Sequence, residues 1–130
     1  MKITLDICVN KQKLLKLLCA YVFIIIIDVC WFYLTRELLY PHLNNKNFNY
    51  IAPFFVWLVM SISIIALEPK KYEEVVLYTL SLGFVLYMFY NLFSYIVDQS
   101  GGIGVIFYDT LYGMTLFFIV GSLIWLIFDK

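Results

Sequence analysis

Charged residues are scarce in this 130-residue sequence. Asp, Glu, Lys and Arg together make up 14% of it, against roughly 25% in a typical soluble domain. The nine basic and nine acidic residues cancel, so the chain has no excess charge that would attract nucleic acid or an anionic surface. We therefore expect no nucleic-acid partner.

Residues that bind metals or act as nucleophiles are also few. The single histidine, His42, lies beside Pro41, and the cysteines Cys8, Cys19 and Cys30 are eleven residues apart. On a continuous helix that spacing is about 16 Å, which is too far for a disulfide within the chain. No H-E-x-x-H or Ser-His-Asp pattern occurs. We predict no metal site and no catalytic residues, and the sequence leaves any cofactor unknown.

Apolar residues, by contrast, make up 64% of the chain, and aromatic residues 20%. This composition indicates that the solvent is lipid, because about 20 apolar residues are needed for a helix to cross a bilayer. We predict an all-α integral membrane four-helix bundle, built from two antiparallel hairpins in a single transmembrane domain over residues 1–130. The four predicted helices cover about residues 14–35, 51–67, 75–97 and 103–128.

Short polar segments separate these runs. The asparagine-rich stretch over residues 36–49 predicts an external loop, and Glu68-Pro69-Lys70-Lys71 ends the second helix. The segment over residues 98–102 is short enough to make helices 3 and 4 antiparallel neighbours. Glycines 83, 113 and 121 indicate close approach of helices.

The distribution of basic residues predicts the orientation, because lysine and arginine are retained on the cytoplasmic side. With four crossings, the side that carries both termini holds seven basic residues and the other side holds Arg36 and Lys46. We predict that both termini are cytoplasmic. The seven are Lys2, Lys11, Lys13, Lys16, Lys70, Lys71 and Lys130.

Three predicted helices carry a polar residue at a similar distance from their external ends. Asp28, Asn91 and Asp109 each lie six or seven positions inside, which is roughly 9 to 10 Å. Helix 2 places Trp57 at a comparable level. Further polar and aromatic residues follow at intervals of three or four, on the same helix faces. We call the predicted set the polar belt: Asp28, Trp31, Tyr87, Asn91, Ser94, Asp109 and Tyr112.

Carboxyl groups inside a membrane indicate function, because a charged one costs roughly 2.5 to 3.5 kcal/mol to insert. No lysine or arginine lies within residues 73–128 or 18–34, so neither Asp28 nor Asp109 has a basic partner on its own helix. Two facing carboxyls remain stable if one is protonated, if they share a proton, or if a cationic group lies between them. This predicts a site for a proton, a cation or a small polar ligand.

Two other functions remain open. The belt can serve as an interhelical hydrogen-bond staple in a structural or envelope membrane protein. Alternatively, Asp28 and Asp109 can act as acid and base in a membrane enzyme with an apolar substrate such as a lipid. The expected partners are the lipid bilayer and, for a pore, further copies of the chain, because four short helices enclose too little space for a channel.

The belt residues also resemble the motifs of a family of small four-helix membrane proteins of unknown function from bacteria and large DNA viruses. Its Asp-x-x-Trp motif matches Asp28-Val-Cys-Trp31, and its Asp-x-x-Trp-Gly motif matches Asp109-Thr-Leu-Tyr112-Gly113. The family's third-helix motif, Tyr-x-x-Tyr-Asp-x-Thr-Asn, corresponds here to Tyr87-Met-Phe-Tyr90-Asn91-Leu-Phe-Ser94. Asn91 replaces an aspartate and Tyr112 a tryptophan. The resemblance implies the fold and an important belt, and it implies no reaction.

Overall fold

The computed structural model describes residues 11–39, 51–97 and 102–129. Over these ranges the chain is a bundle of four helices, so the predicted all-α architecture is confirmed. The predicted loop at His42, the first cysteine and the side chain of Arg36 lie outside the described parts. The helices are α1 (Lys11–Leu39), α2 (Ala52–Ala66), α3 (Tyr72–Val97) and α4 (Gly102–Ile124), and a π-helical turn, Trp125–Asp129, continues α4.

Three of the helices, α1, α3 and α4, are long and apolar enough to cross a membrane. The helix α2 has 15 residues, about 22 Å of helix, against a hydrocarbon core of about 30 Å. The described part of α1 is longer than predicted at both ends, because Lys11 to Lys13 and the residues after Thr35 continue the helix. Polarity alone therefore did not end this helix.

The turn between α2 and α3 has clear local causes. The helix α2 ends where Leu67 N–H bonds to the carbonyl oxygen of Ile64 and Glu68 adopts a left-handed φ of 45°. Pro69 follows and cannot continue a helix. The helix α3 then begins with Lys70 N–H donating to Glu74 Oε2 over 2.7 Å, and a carboxylate in the first helical turn is favoured by the helix dipole.

The helix α4 is the centre of the bundle. Residues of α1, α2 and α4 form one apolar cluster, in which Ile24 and Phe117 are fully buried. The helix α3 packs on the other side of α4 through Val75, Thr79 and Gly83. Because α4 contacts every other helix, it holds ten buried residues. The cluster consists of Ala20, Ile24, Met60, Ile64, Leu116, Phe117, Val120 and Ile124.

Glycines bring α3 and α4 together, as the sequence predicts. A Cβ on Gly83 would lie 2.7 Å from the Met114 Cα, and a Cβ on Gly113 would overlap the ring of Tyr87. A Cβ on Gly121 would overlap Thr79 in the same way. The tight contact of these two helices fixes how the polar residues of α3 meet those of α4.

The bundle has two distinct ends. At the loop end, α1 and α3 finish while α2 and α4 begin. At the terminal end lie Lys11, the turn at residues 67–71 and Asp129. Two ion pairs join the elements of the terminal end: Lys13 Nζ to Glu68 Oε1 and Lys16 Nζ to Asp129 Oδ1, both 2.6 Å. The hydrogen bond and the positive charge of Lys13 lower the pKa of Glu68.

Candidate functional site

Asp28 is the meeting point of three helices. Its Oδ2 accepts a hydrogen bond from Trp57 Nε1 of α2 over 2.7 Å, and its Oδ1 accepts one from the Tyr112 hydroxyl of α4 over 2.8 Å. No lysine or arginine within the described residues pairs with this carboxyl. Asp28 is thus a carboxyl held by two neutral donors, on a helix long and apolar enough to cross a membrane.

Aromatic rings enclose Asp28 on the side of α3 and α4. Trp31, one turn along α1, stacks on the ring of Tyr112 with 4.2 Å between ring centroids and 6° between planes. The ring of Tyr87 meets the same tyrosine edge-on at 6.1 Å. These contacts fix the orientation of Tyr112, so its hydroxyl is directed at Asp28.

Asp109 forms the second polar contact, between α3 and α4. Its Oδ2 accepts a hydrogen bond from Asn91 Nδ2 over 2.8 Å, and the same amide nitrogen donates to the carbonyl oxygen of Tyr87 over 2.7 Å. Both side chains are buried, with Asp109 8% and Asn91 7% exposed. The amide nitrogen of Asn91 therefore donates both of its hydrogens, one to Asp109 and one to the carbonyl oxygen of Tyr87.

The belt divides into these two linked groups. Asp28 contacts Tyr112, which lies one turn of α4 further from the loop end than Asp109. The predicted equal depth of the two aspartates assumed that α1 ends near residue 35, whereas it continues to Leu39. Asp28 lies eleven positions before Leu39, the last residue of α1 that the structure describes, which is about 16 Å.

The predicted position of Ser94 is wrong. Ser94 is exposed on the outside of α3, although it follows the buried Asn91 at an interval of three. The interval leaves the two side chains roughly 60° apart around the helix, and near the helix end that difference takes Ser94 out of the contact with α4. Tyr90, which precedes Asn91 directly, is 67% exposed and likewise lies outside the contact with α4.

Trp57 belongs to the site although the predicted belt does not include it. One signal in the sequence pointed to this role, since Trp57 lies at a similar level on helix 2. A tryptophan near a helix end also fits the aromatic belt of any membrane protein, so the sequence did not distinguish the two roles. The hydrogen bond to Asp28 decides between them.

Two buried polar atoms near these groups have no partner among the described residues. They are the indole nitrogen of Trp31 and the hydroxyl of Thr110. Thr110 is 3% exposed and follows Asp109 directly. A buried donor without an acceptor costs about 1 to 3 kcal/mol, so these two atoms indicate unused hydrogen-bonding capacity in Trp31 and in Thr110.

The described residues contain no group of three or more His, Cys, Asp or Glu side chains that could hold a metal ion. Asp28 accepts hydrogen bonds from Trp57 and Tyr112, and Asp109 accepts one from Asn91. A carboxyl group in such contacts can exchange protons and hydrogen bonds.

Comparison of the chain with protein-family models, with curated proteins and with solved structures finds no match. The resemblance to the four-helix family of bacteria and large DNA viruses accordingly stays a prediction.

Proposed function

We propose that this protein binds a proton, or a small cationic or polar ligand, at Asp28 inside the loop-end half of a membrane bundle. The observation that carries the proposal is a carboxyl bonded by Trp57 and Tyr112 from two other helices, with no basic side chain in contact among the described residues. An ionised Asp28 carboxylate would hold a negative charge inside the membrane, which is energetically costly. A bound proton or cation removes that charge.

The two donors differ in a way that favours one oxygen of Asp28 for protonation. The indole N–H of Trp57 can only donate, so Oδ2 must remain an acceptor. The hydroxyl of Tyr112 can donate or accept. A proton on Oδ1 can therefore be donated to the Tyr112 oxygen, and the site can gain or lose a proton without losing its hydrogen bond to α4.

A small ligand has unused contacts available in the same region. Each oxygen of Asp28 accepts one hydrogen bond from the protein, although a carboxylate has about four acceptor positions. The indole N–H of Trp31, which has no acceptor among the described residues, adds a donor one helical turn from Asp28. A ligand of both residues would therefore need a donor for Asp28 and an acceptor for Trp31, and a purely apolar molecule has neither.

The test is an infrared titration of the protein in lipid, from mildly acidic to mildly alkaline pH. We expect the wild type to show a protonated carboxyl band that Asp28→Asn removes and that Tyr112→Phe shifts, since the partner of Oδ1 is then lost. Asp129→Asn is the matched control, because Asp129 lies at the opposite end of the bundle, and it should leave the band unchanged.

Ionisation of both Asp28 and Asp109 at mildly acidic pH would overturn the proposal. So would a carboxyl band that survives in Asp28→Asn with the same position and intensity. If the titration instead supports the proposal, flux of protons or ions in liposomes separates binding from transport. Asp28→Asn is the inactive comparison.

A second function, a structural membrane protein, is favoured by one observation. The hydrogen bonds of Asp28 and of Asp109 together join all four helices, as a staple would. Thermal unfolding in mild detergent separates the two proposals. If Asp28 is retained for binding at the expense of stability, Asp28→Asn should have a higher melting temperature than the wild type. The asparagine side chain can still accept a hydrogen bond from Trp57 and donate one to Tyr112. A staple predicts a lower melting temperature.

A further inference from the structure

A cleft of about 340 Å³ lies at the terminal end, away from the two aspartates of the belt. It is bounded by the start of α1, the turn between α2 and α3, and the end of α4. Among the described residues, four charged side chains line its rim, two of them lysines and two carboxylates. They are Lys13, Lys16, Glu68 and Asp129.

The floor of the cleft is apolar. Ile64 of α2, Val75 of α3 and Ile124 of α4 line it, and each is buried. Trp125 also lines the cleft at the level where the π-helical turn begins. The cleft lies at the end of helices that cross a membrane. Its charged rim suits the polar headgroup of an amphiphile, and its apolar floor suits the hydrocarbon chain.

The charges on the rim are balanced and already paired. Lys16 bonds to Asp129, and Lys13 bonds to Glu68, each over 2.6 Å. The Lys16 side chain is 18% exposed, so an unpaired charge left there would be costly. An occupant of the rim must therefore offer a partner to both signs of charge.

We infer that this cleft binds one zwitterionic phospholipid of the surrounding bilayer. Its phosphate lies against Lys13 and Lys16, its headgroup ammonium lies against Glu68 and Asp129, and the first part of an acyl chain covers the apolar floor. Such a headgroup replaces both ion pairs without leaving a charge unpaired. A phospholipid with an anionic headgroup and no ammonium leaves both carboxylates without a partner, which disfavours it.

The test is native mass spectrometry of the protein released from nanodiscs that contain equal amounts of phosphatidylethanolamine and phosphatidylglycerol with the same acyl chains. We expect the wild type to retain phosphatidylethanolamine in preference. Lys16→Gln should lower its retention by about threefold, the effect of one partly exposed ion pair. Lys71→Gln, which changes an exposed lysine outside the cleft, is the matched control and should have no effect.

A second variant guards against loss of folding. The double change Glu68→Gln and Asp129→Asn leaves two lysines on the rim and should reverse the preference toward phosphatidylglycerol, a result that misfolding does not produce. Equal retention of the two lipids by the wild type would overturn the inference. An unchanged preference in the double variant would overturn it as well. Neither result depends on Asp28, so it leaves the proposed function untouched.

Discussion

At the scale of single residues, two glycines of α4, Gly104 and Gly113, have opposite surroundings. Gly113 faces Tyr87 so closely that a Cβ would overlap the ring, whereas nothing lies within 4 Å of a Cβ on Gly104. The same tyrosine ring contacts Tyr112 and supports the Asp28 site. A single methyl group at residue 113 therefore affects both helix packing and the orientation of a site residue.

We expect Gly113→Ala to lower the free energy of unfolding by about 1 to 3 kcal/mol, the usual cost of overpacking a tight contact. Gly104→Ala is the control, and it should be neutral or stabilising by up to about 1 kcal/mol because alanine favours the helix. Unfolding of both variants in mixed micelles, followed by circular dichroism, measures the difference. Equal stability of the two variants would show that α3 and α4 do not pack as described.

At the scale of elements, the turn between α2 and α3 is joined to α1 by one exposed contact. Glu68 has a left-handed backbone and bonds to Lys13, while Glu74 bonds to the backbone of Lys70. The hydrogen bond and charge of Lys13 lower the pKa of Glu68 below the usual range of a glutamate. The contact therefore exists while Glu68 is ionised.

The lowered pKa of Glu68 determines how the stability contributed by its contact with Lys13 changes with pH. A lowered pKa means that the contact contributes its full stability above the pKa of the unfolded chain and loses it as pH falls through the folded pKa. We expect the Glu68 carboxyl to titrate at lower pH in the wild type than in the Lys13→Gln variant, measured by NMR. Identical titration of Glu68 in the two proteins would contradict the contact. The effect on stability is small because both partners are exposed.

At the scale of the whole molecule, the order of the helices requires α2 to cross the bundle. The helix α1 ends at the loop end, and α3 begins at the terminal end, so the chain must return between them. The short α2 makes this return, and Trp57 bonds to Asp28 on the way. Lys11, Lys70 and Asp129 consequently share the terminal end.

We expect Lys11→Cys and Lys70→Cys to react with a membrane-impermeant maleimide from the same side of sealed vesicles. Ile51→Cys, at the loop end, should react from the opposite side, and all three positions are exposed. The three native cysteines are replaced by serine in each variant. The count of basic residues further predicts that the reactive side for Lys11→Cys is the cytoplasmic one. Reaction of Lys11→Cys and Ile51→Cys from one side would contradict the arrangement.

Several features of the site could be predicted from residue spacing. Asp28 and Trp31, and Asp109 and Tyr112, lie three positions apart, so each pair shares a helix face. Helix ends were harder to predict, because Lys11 and the residues after Thr35 are compatible with a helix once it leaves the hydrocarbon. The role of Trp57 and the outward position of Ser94 depend on how the helices rotate and tilt against each other, which spacing does not define.

The sequence by itself determined the class of this protein, because 64% apolar residues arranged in long runs are stable only as helices in lipid. It also determined that two carboxyls lie within those runs. The tertiary structure decided which donors bond to those carboxyls, how far each carboxyl lies from the loop end of the bundle, and where the charged cleft forms. The physical reason is that composition and periodicity act along one helix, whereas a hydrogen bond between helices depends on their register and on close contacts such as those at Gly83 and Gly113.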